Sequence, residues 1–242
     1  MILTEHQPVY LPWLGLFHKI ALADEFIFFE KVQYTMKDYV SRNLIKGTNG
    51  PIMLTVPILS KDHFNKNISE IQINNSENWA KKHWKSIYLN YKNAPYFNEY
   101  ADFLENLYSK NWDKLVDLNY EMLIWHLKIL EIETKVKRMK DYNFQGEKSD
   151  LVLDMCKQLN CDLYIFGKLG KDYADVEKYN QNSVKLYFQD YSHPKYSQQY
   201  KKHKFEPYMA TIDLVFNEGH NALEILMSRN ITKHEVQRKY NL

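Results

Sequence analysis

Apolar residues recur at three- and four-residue steps through one long central block, residues 77–130. Trp79, His83, Trp84, Ile87 and Tyr91 form a first stripe. Phe103, Leu104, Leu107 and Tyr108 form a second, and Leu115, Leu118, Met122, Leu123, Leu127 and Leu130 a third, with Pro95 breaking the first from the second. That period predicts three consecutive amphipathic helices. On either side the pattern shortens to apolar runs bounded by turn formers: residues 1–4, 25–30 and 52–57 before the block, and 134–136, 162–166, 184–188 and 211–216 after it. Short apolar runs alternating with helical segments predict an α/β fold on a mostly parallel sheet, with the central helices as an all-α insert. The division is then 1–75 and 133–242 as two halves of one α/β domain, around an insert at 76–132. Residues 44–45 and 52–57 flank the turn formers Lys46-Gly47-Thr48-Asn49-Gly50 as a hairpin, and a peripheral helix runs from Thr232. Ser149-Asp150 is expected to cap a helix over 151–159, and Asn217 follows the last apolar run ahead of a helix reaching Met227.

Charge narrows the choice of partners. The 242 residues carry 32 basic and 30 acidic side chains, a net charge of +2, which provides no global field for nucleic acid. No window reaches 18 apolar residues and no basic-then-apolar leader opens the chain, so a soluble cytoplasmic protein without a membrane partner is expected. The cysteines, Cys156 in a helical pattern and Cys161 at the start of a strand, match no zinc spacing and read as core thiols; neither zinc nor haem is expected. The 19 tyrosines exceed what a core needs, and the aromatic-rich insert offers a surface for a homodimer.

The chemistry concentrates in His6-Gln7-Pro8-Val9-Tyr10-Leu11-Pro12-Trp13-Leu14-Gly15-Leu16-Phe17-His18-Lys19. Two imidazoles, an amide, a phenol, an indole and an ammonium lie on the turn between a first strand and a first helix, with Pro12 placed to open that helix. Ligands of open α/β sheets bind at such turns, and the free amides of a first helical turn suit an anion. An aromatic-rich turn with its histidines bonded to backbone is the plainer alternative. As a site, His6 and His18 act as general acid and base, or hydrogen-bond phosphate oxygens. The placement is loosely similar to the nucleotidylyltransferase-like, Rossmann-like architecture of adenylating enzymes, whose His-containing turn after the first strand meets a triphosphate.

Two later loops add candidates. Gly167-Lys168-Leu169-Gly170-Lys171-Asp172-Tyr173 follows a strand; its glycines and lysines suit a phosphate cradle, or serve a plain strand-to-helix turn, and the spacing fits neither a Walker A nor a dinucleotide fingerprint. Residues 188–196 mix Asp190 and His193 with amide and phenol groups. Asp213 and Asn217 bracket the apolar run at 211–216, where Asn217 is a substrate contact or simply a helix cap.

These residues together resemble the WbqC-like family of bacterial proteins, which accompanies genes for O-antigen and other surface glycans. The matching segments are His6-Gln7-Pro8, Tyr10, Pro12-Trp13, Gly15 and His18-Lys19; Val32-Gln33-Tyr34, Arg42-Asn43 and Leu54-Thr55-Val56-Pro57; Gly167, Gly170 and Asp172-Tyr173; Phe188-Gln189-Asp190-Tyr191 with His193-Pro194 and Tyr196; and Ile212-Asp213-Leu214 with Phe216-Asn217-Glu218-Gly219. Glu30-Lys31, Phe166 and Ala210 depart from the family's pattern.

The resemblance implies an enzyme that attaches an amino acid, glycine for preference, or a related acyl group to the amine of a nucleotide-linked amino sugar. ATP, with Mg, would activate the carboxyl. An acyl-CoA-dependent transferase and a non-catalytic glycan- or nucleotide-binding module are the alternatives. In that scheme His6 is the base, and His18 and Lys19 complete the catalytic set. Gln7, Tyr10, Trp13, Gln33, Tyr34, Arg42, Asn43, Asp190, His193, Asp213 and Asn217 bind substrate. Gly15, Gly167, Lys168, Gly170, Asp172 and Tyr173 hold the cofactor, and no residue is assigned to a metal.

Overall fold

The computed structural model describes residues 1–59, 65–200 and 202–242. In chain order, β1 (Ile2–His6) leads to α1 (Leu14–Ala21), β2 (Glu25–Phe28), and the hairpin β3 (Arg42–Gly47) and β4 (Gly50–Thr55). The helices α2 (Trp79–Tyr91), α3 (Phe97–Ser109) and α4 (Leu115–Ile129) follow, then β5 (Lys135–Arg138), α5 (Lys148–Gln158), β6 (Leu163–Phe166), α6 (Val176–Gln181) and β7 (Lys185–Phe188). The chain continues through α7 (Thr211–Glu218), α8 (Ala222–Met227) and α9 (Lys233–Tyr240).

Five strands form one sheet in the order β5-β2-β1-β6-β7, and every neighbouring pair is parallel. The chain moves outward from β1 to β2 and β5, then crosses to β6 and β7 on the other side. This is the doubly wound, Rossmann-like arrangement, and its direction reverses between β1 and β6. Alternation along β1 supplies both faces of the core. Leu3 packs with Val152, Met155 and Cys156 of α5, while Ile2 packs with Leu22 and with Val236 of α9. Val236 is the one buried residue of α9, and Tyr240, packed on the same cluster with its hydroxyl bonded to the Leu186 carbonyl, helps to dock the helix. The hairpin, α1, α2, α3, α4 and α7 share a second, larger core. Each large side chain fully buried there contributes about 1.5–3 kcal/mol. No helix among the described residues is long and apolar enough to cross a membrane.

Four local expectations are corrected. Residues 211–216 form α7 rather than a strand. All six are buried, and a short apolar run enclosed on every side has the same pattern in either conformation. Helix α1 begins at Leu14 with Trp13 at its cap, two residues after Pro12. Helix α5 begins at Lys148 with Glu147 at the cap, so Ser149 and Asp150 lie inside its first turn; there Asp150 pairs with Lys178 and the Ser149 carbonyl accepts from the Tyr179 hydroxyl. Asn217 lies within α7 and caps nothing, since its amide donates to the Asp213 carbonyl at 2.7 Å. Both cysteines are free and buried, Cys161 two residues ahead of β6.

Candidate functional site at the parted ends of the central strands

The carboxyl ends of all five parallel strands share one edge of the sheet. Pairing of β1 with β2 runs on to His6 and Phe28, whereas pairing of β1 with β6 stops at Thr4 and Ile165. The two central strands therefore part at Glu5 and His6, where the chain direction reverses. This is the crevice in which open α/β sheets bind ligands.

His6 keeps exposed surface in this crevice. Its Nδ1 lies 2.8 Å from the Gln7 carbonyl, which can only accept, so Nδ1 carries the proton and Nε2 presents a lone pair. Burial, reinforced by the Lys19 charge, lowers its pKa to about 3 against the bond to Gln7. A neutral imidazole with a bare Nε2 is the form a general base requires. The ring meets Trp13 edge-on at 5.2 Å, and Trp13 meets Tyr39 at 5.5 Å, giving the crevice an aromatic wall.

Glu5, which carries no sequence signal, lines the same gap from the other face of the sheet. It retains exposed surface, and its Oε1 accepts from the Tyr164 hydroxyl at 3.0 Å. Burial raises its pKa, opposed by the Lys19 charge and the Tyr164 bond. The Glu5 carbonyl points into the gap left by β6, and Lys19 Nζ reaches it at 2.7 Å. Lys19 is 4% exposed, and burial lowers its pKa against the pull of Glu5. It supplies charge beneath the crevice but no donor at its mouth.

The loop after β6 closes the far side as a short 3-10 turn, Lys168–Asp172. A side chain at Gly167 would meet nothing within 4 Å, so this glycine leaves the mouth open. Gly170 is different, because a Cβ there would stand 2.5 Å from Phe166. Lys168 reaches Asp190 at 3.5 Å across the ends of β6 and β7, both well exposed. Asp172 is exposed at the end of the turn, and Tyr173 is 56% exposed, with burial and the Glu5 charge raising its pKa.

The remaining candidates fall into two groups. Gln7 and Arg42 are partly exposed and Gln33 is exposed; Arg42 donates to the Lys37 carbonyl. The others are committed to the fold, which corrects their assignment as ligand contacts. His18 is fully buried: Nε2 donates to the Ile231 carbonyl at 3.0 Å and Nδ1 accepts from Gln189 at 2.8 Å, leaving neither nitrogen for catalysis. The Tyr10 hydroxyl is buried between His83 Nδ1 (2.7 Å) and the Tyr108 hydroxyl (2.6 Å), tying the turn to α2 and α3. Asn43 donates to the Tyr10 and Leu11 carbonyls, where Leu11 holds φ at 46°. That left-handed backbone costs about 1–2 kcal/mol, offset by complete burial of the leucine. Tyr34 is buried against Ser41. His193 is occupied at both nitrogens, by the Pro194 carbonyl and the Tyr208 amide. Gly15 lies under Tyr191, 3.0 Å from where a Cβ would stand, and α1 is buried over its first turn, so no open approach leads to those amides.

Asp213 is fully buried. It accepts from Tyr91 (2.8 Å) at Oδ1 and from Tyr196 (2.8 Å) and Gln198 (2.7 Å) at Oδ2, while Gln198 also accepts from the buried Lys46 at 2.8 Å. Burial raises its pKa against those hydrogen bonds. This network straps the segment after β7 to the hairpin and α7. Asn217 extends it by accepting from Gln199. Glu30, fully buried, is consumed by a two-point contact with Arg138. A cavity of about 730 Å³ opens at the opposite, amino-terminal edge of the sheet, where Asp24 and Glu25 are already held by Lys233 and Lys137. Among the described residues no three His, Cys, Asp or Glu side chains cluster as a metal site.

Fold and crevice thus define a doubly wound α/β protein with a crevice between β1 and β6, where the chain direction reverses. The chain belongs to the WbqC-like protein family, whose model matches residues 7–225. It is also similar to the uncharacterized protein Rv1507c of Mycobacterium tuberculosis (strain ATCC 25618 / H37Rv), with 33% identity over 226 residues, 91% of this chain and 95% of that protein. No solved structure matches the chain.

Proposed function

We propose that this protein forms an amide bond in surface-glycan assembly, joining an amino-acid carboxyl, glycine for preference, to the amine of a nucleotide-linked amino sugar. One observation carries the reading: a neutral His6 with an unoccupied Nε2 at the parted ends of β1 and β6. In the proposed step a carboxylate oxygen would first attack ATP, with Mg, at its γ-phosphorus to give an acyl phosphate and ADP, or at its α-phosphorus to give an acyl adenylate and pyrophosphate. The amine nitrogen then attacks the activated carbonyl carbon, the carbon–nitrogen bond forms, and the bond to the phosphate oxygen breaks. His6 Nε2 takes the proton released by the nitrogen. Lys168 and Lys171, exposed on the turn after β6, would meet the phosphates, and the Trp13–Tyr39 wall suits a base or sugar ring.

The test is incubation with an amino-sugar nucleotide panel, glycine and Mg-ATP, reading a mass gain of one glycyl unit and release of AMP or ADP. His6→Ala should lower turnover by about 10²–10⁴. Product formed equally well by a folded His6→Ala protein refutes the role of His6, and no product with ATP or acyl-CoA refutes the enzymatic reading.

A further inference from the structure

The cavity of about 730 Å³ at the amino-terminal edge of the sheet takes no part in the crevice, and its lining is of two kinds. Ala21, Ile132, Leu223 and Met227 give it an apolar wall, each of them only half-buried. Its charged lining sets Asp24, Glu25, Glu131 and Glu133 against Lys135 and Lys233. The fold neutralises part of this charge. Asp24 pairs with Lys233 at 2.6 Å, Glu25 pairs with Lys137 at 2.7 Å, and the Met1 amino group is held by Asp162. Glu131 and Glu133, both exposed, have no ion pair among the described residues, and Lys135 is the one lining cation in the same position. Three helices also finish here: α1 at Ala21, α8 at Met227, and α4 at Ile129, two residues ahead of Glu131. Each brings the negative end of its dipole, against a single helix start, that of α9 at Lys233.

Volume, wall and field together select an occupant. Small-molecule pockets enclose about 300–1,000 Å³ and are mostly apolar with a few placed polar groups. An anion meets two unpaired carboxylates and three helix ends. A metal ion finds too few ligands, since no three His, Cys, Asp or Glu side chains cluster among the described residues, and it gains nothing from the apolar wall. An ammonium on a methylene chain answers to both parts of the lining. We infer that this cavity is a second ligand site, for an aliphatic diamine or polyamine. Glu131 and Glu133 receive the ammonium groups, while Leu223 and Met227 cover the methylenes. The site lies at the opposite edge of the sheet from the crevice and does not depend on the reaction proposed there.

1,5-Diaminopentane serves as the probe, with Mg²⁺ as a control of equal charge that has no hydrocarbon chain. Both are titrated at low ionic strength into protein labelled with ¹³C at the methionine methyls. The Met227 signal is assigned by its loss in Met227→Leu. A saturable shift of Met227 is expected with the diamine, while Met122 and Met155, fully buried in separate cores, stay in place. Mg²⁺ should bind at least about tenfold more weakly, because it leaves the apolar wall in water. The double variant Glu131→Gln, Glu133→Gln changes only exposed positions and should weaken diamine binding about three- to tenfold. Lys135→Gln removes the opposing charge and should strengthen binding about two- to fivefold. No saturable Met227 shift in the wild-type protein, Mg²⁺ binding as tightly as the diamine, or undiminished binding in the double variant overturns the site. A diamine that moves other methionine methyls but leaves Met227 in place binds elsewhere and overturns it equally.

Discussion

The Gln189 side-chain amide bridges two elements, lying 2.8 Å from both His18 Nδ1 and the Gly15 carbonyl. It joins the carboxyl end of β7 to the middle of α1, and it fixes His18 as an acceptor at one nitrogen and a donor at the other. The imidazole with the more obvious catalytic neighbour, Lys19, is therefore a strut, while the one at the strand end is chemically open.

Gln189→Ala would leave His18 Nδ1 without its donor inside the fold. A loss of about 1–3 kcal/mol is expected, read as a lower urea midpoint at unchanged m-value. Gln189→Glu should destabilise as well, because a carboxylate has no N–H for either acceptor.

The two glycines after β6 separate mouth from scaffold. Gly167→Phe points into open space and should block ligand entry with stability unchanged within about 0.5 kcal/mol. Gly170→Ala forces a Cβ against Phe166 and should destabilise by about 1–3 kcal/mol. Ligand titration and chemical denaturation of the pair distinguish the two effects; a destabilised Gly167→Phe protein with intact binding contradicts this division.

Removing Asp213 strips the acceptor from Tyr91, Tyr196 and Gln198 at once, and Gln198 is the partner of Lys46. Asp213→Ala should cost about 3–5 kcal/mol. Asp213→Asn keeps the shape but offers an N–H where a hydroxyl or amide already donates, and should recover only part of that loss. Limited proteolysis between residues 189 and 200 is expected to accelerate in both variants in proportion to the stability lost.

Acid should weaken the fold well above the carboxylate range. His83 and His126, 7% and 0% exposed, have pKa values lowered to about 4, by burial first in each case. Unfolded histidine titrates near 6.5. Between these values the unfolded chain binds protons that the folded chain does not, so stability is full above about pH 6.5 and falls as pH drops towards 4. Each histidine should remove about 2 kcal/mol between pH 7 and pH 5. Urea midpoints across that range test the sign, and His126→Met should flatten the dependence.

Much of the fold was legible because punctuation and period agree. Proline and glycine bound the turn at residues 6–19, and the change of period at residue 77 sets the three helices apart from the strands. The helix at 211–218 was not legible, since burial on every side erases the contrast that tells a strand from a helix. The same effect hid His18 and Lys19, because α1 is buried from Leu14 to Ile20 and polar residues in it resemble a site when they are core. Glu5 was invisible for another reason. On β1 it reads as an ordinary alternating polar residue, and only the strand order reveals that the β1–β6 ladder stops just before it. Asp213 and Asn43 were correctly seen as unusual, but their spacing does not show that their partners are the protein's own tyrosines and carbonyls.

The order of strands also has a consequence for how the chain reaches its native state. Its central strand is completed by a neighbour 161 residues further along, as the Thr4 hydroxyl bonding to the Ile165 carbonyl records. Until β6 arrives, β1 has one unpaired edge, and the crevice does not exist. Closure of so long a loop makes the contact order high and the final docking slow. The crevice between β1 and β6 therefore exists only once that long closure is made, so a ligand held there would also report that β6 has docked.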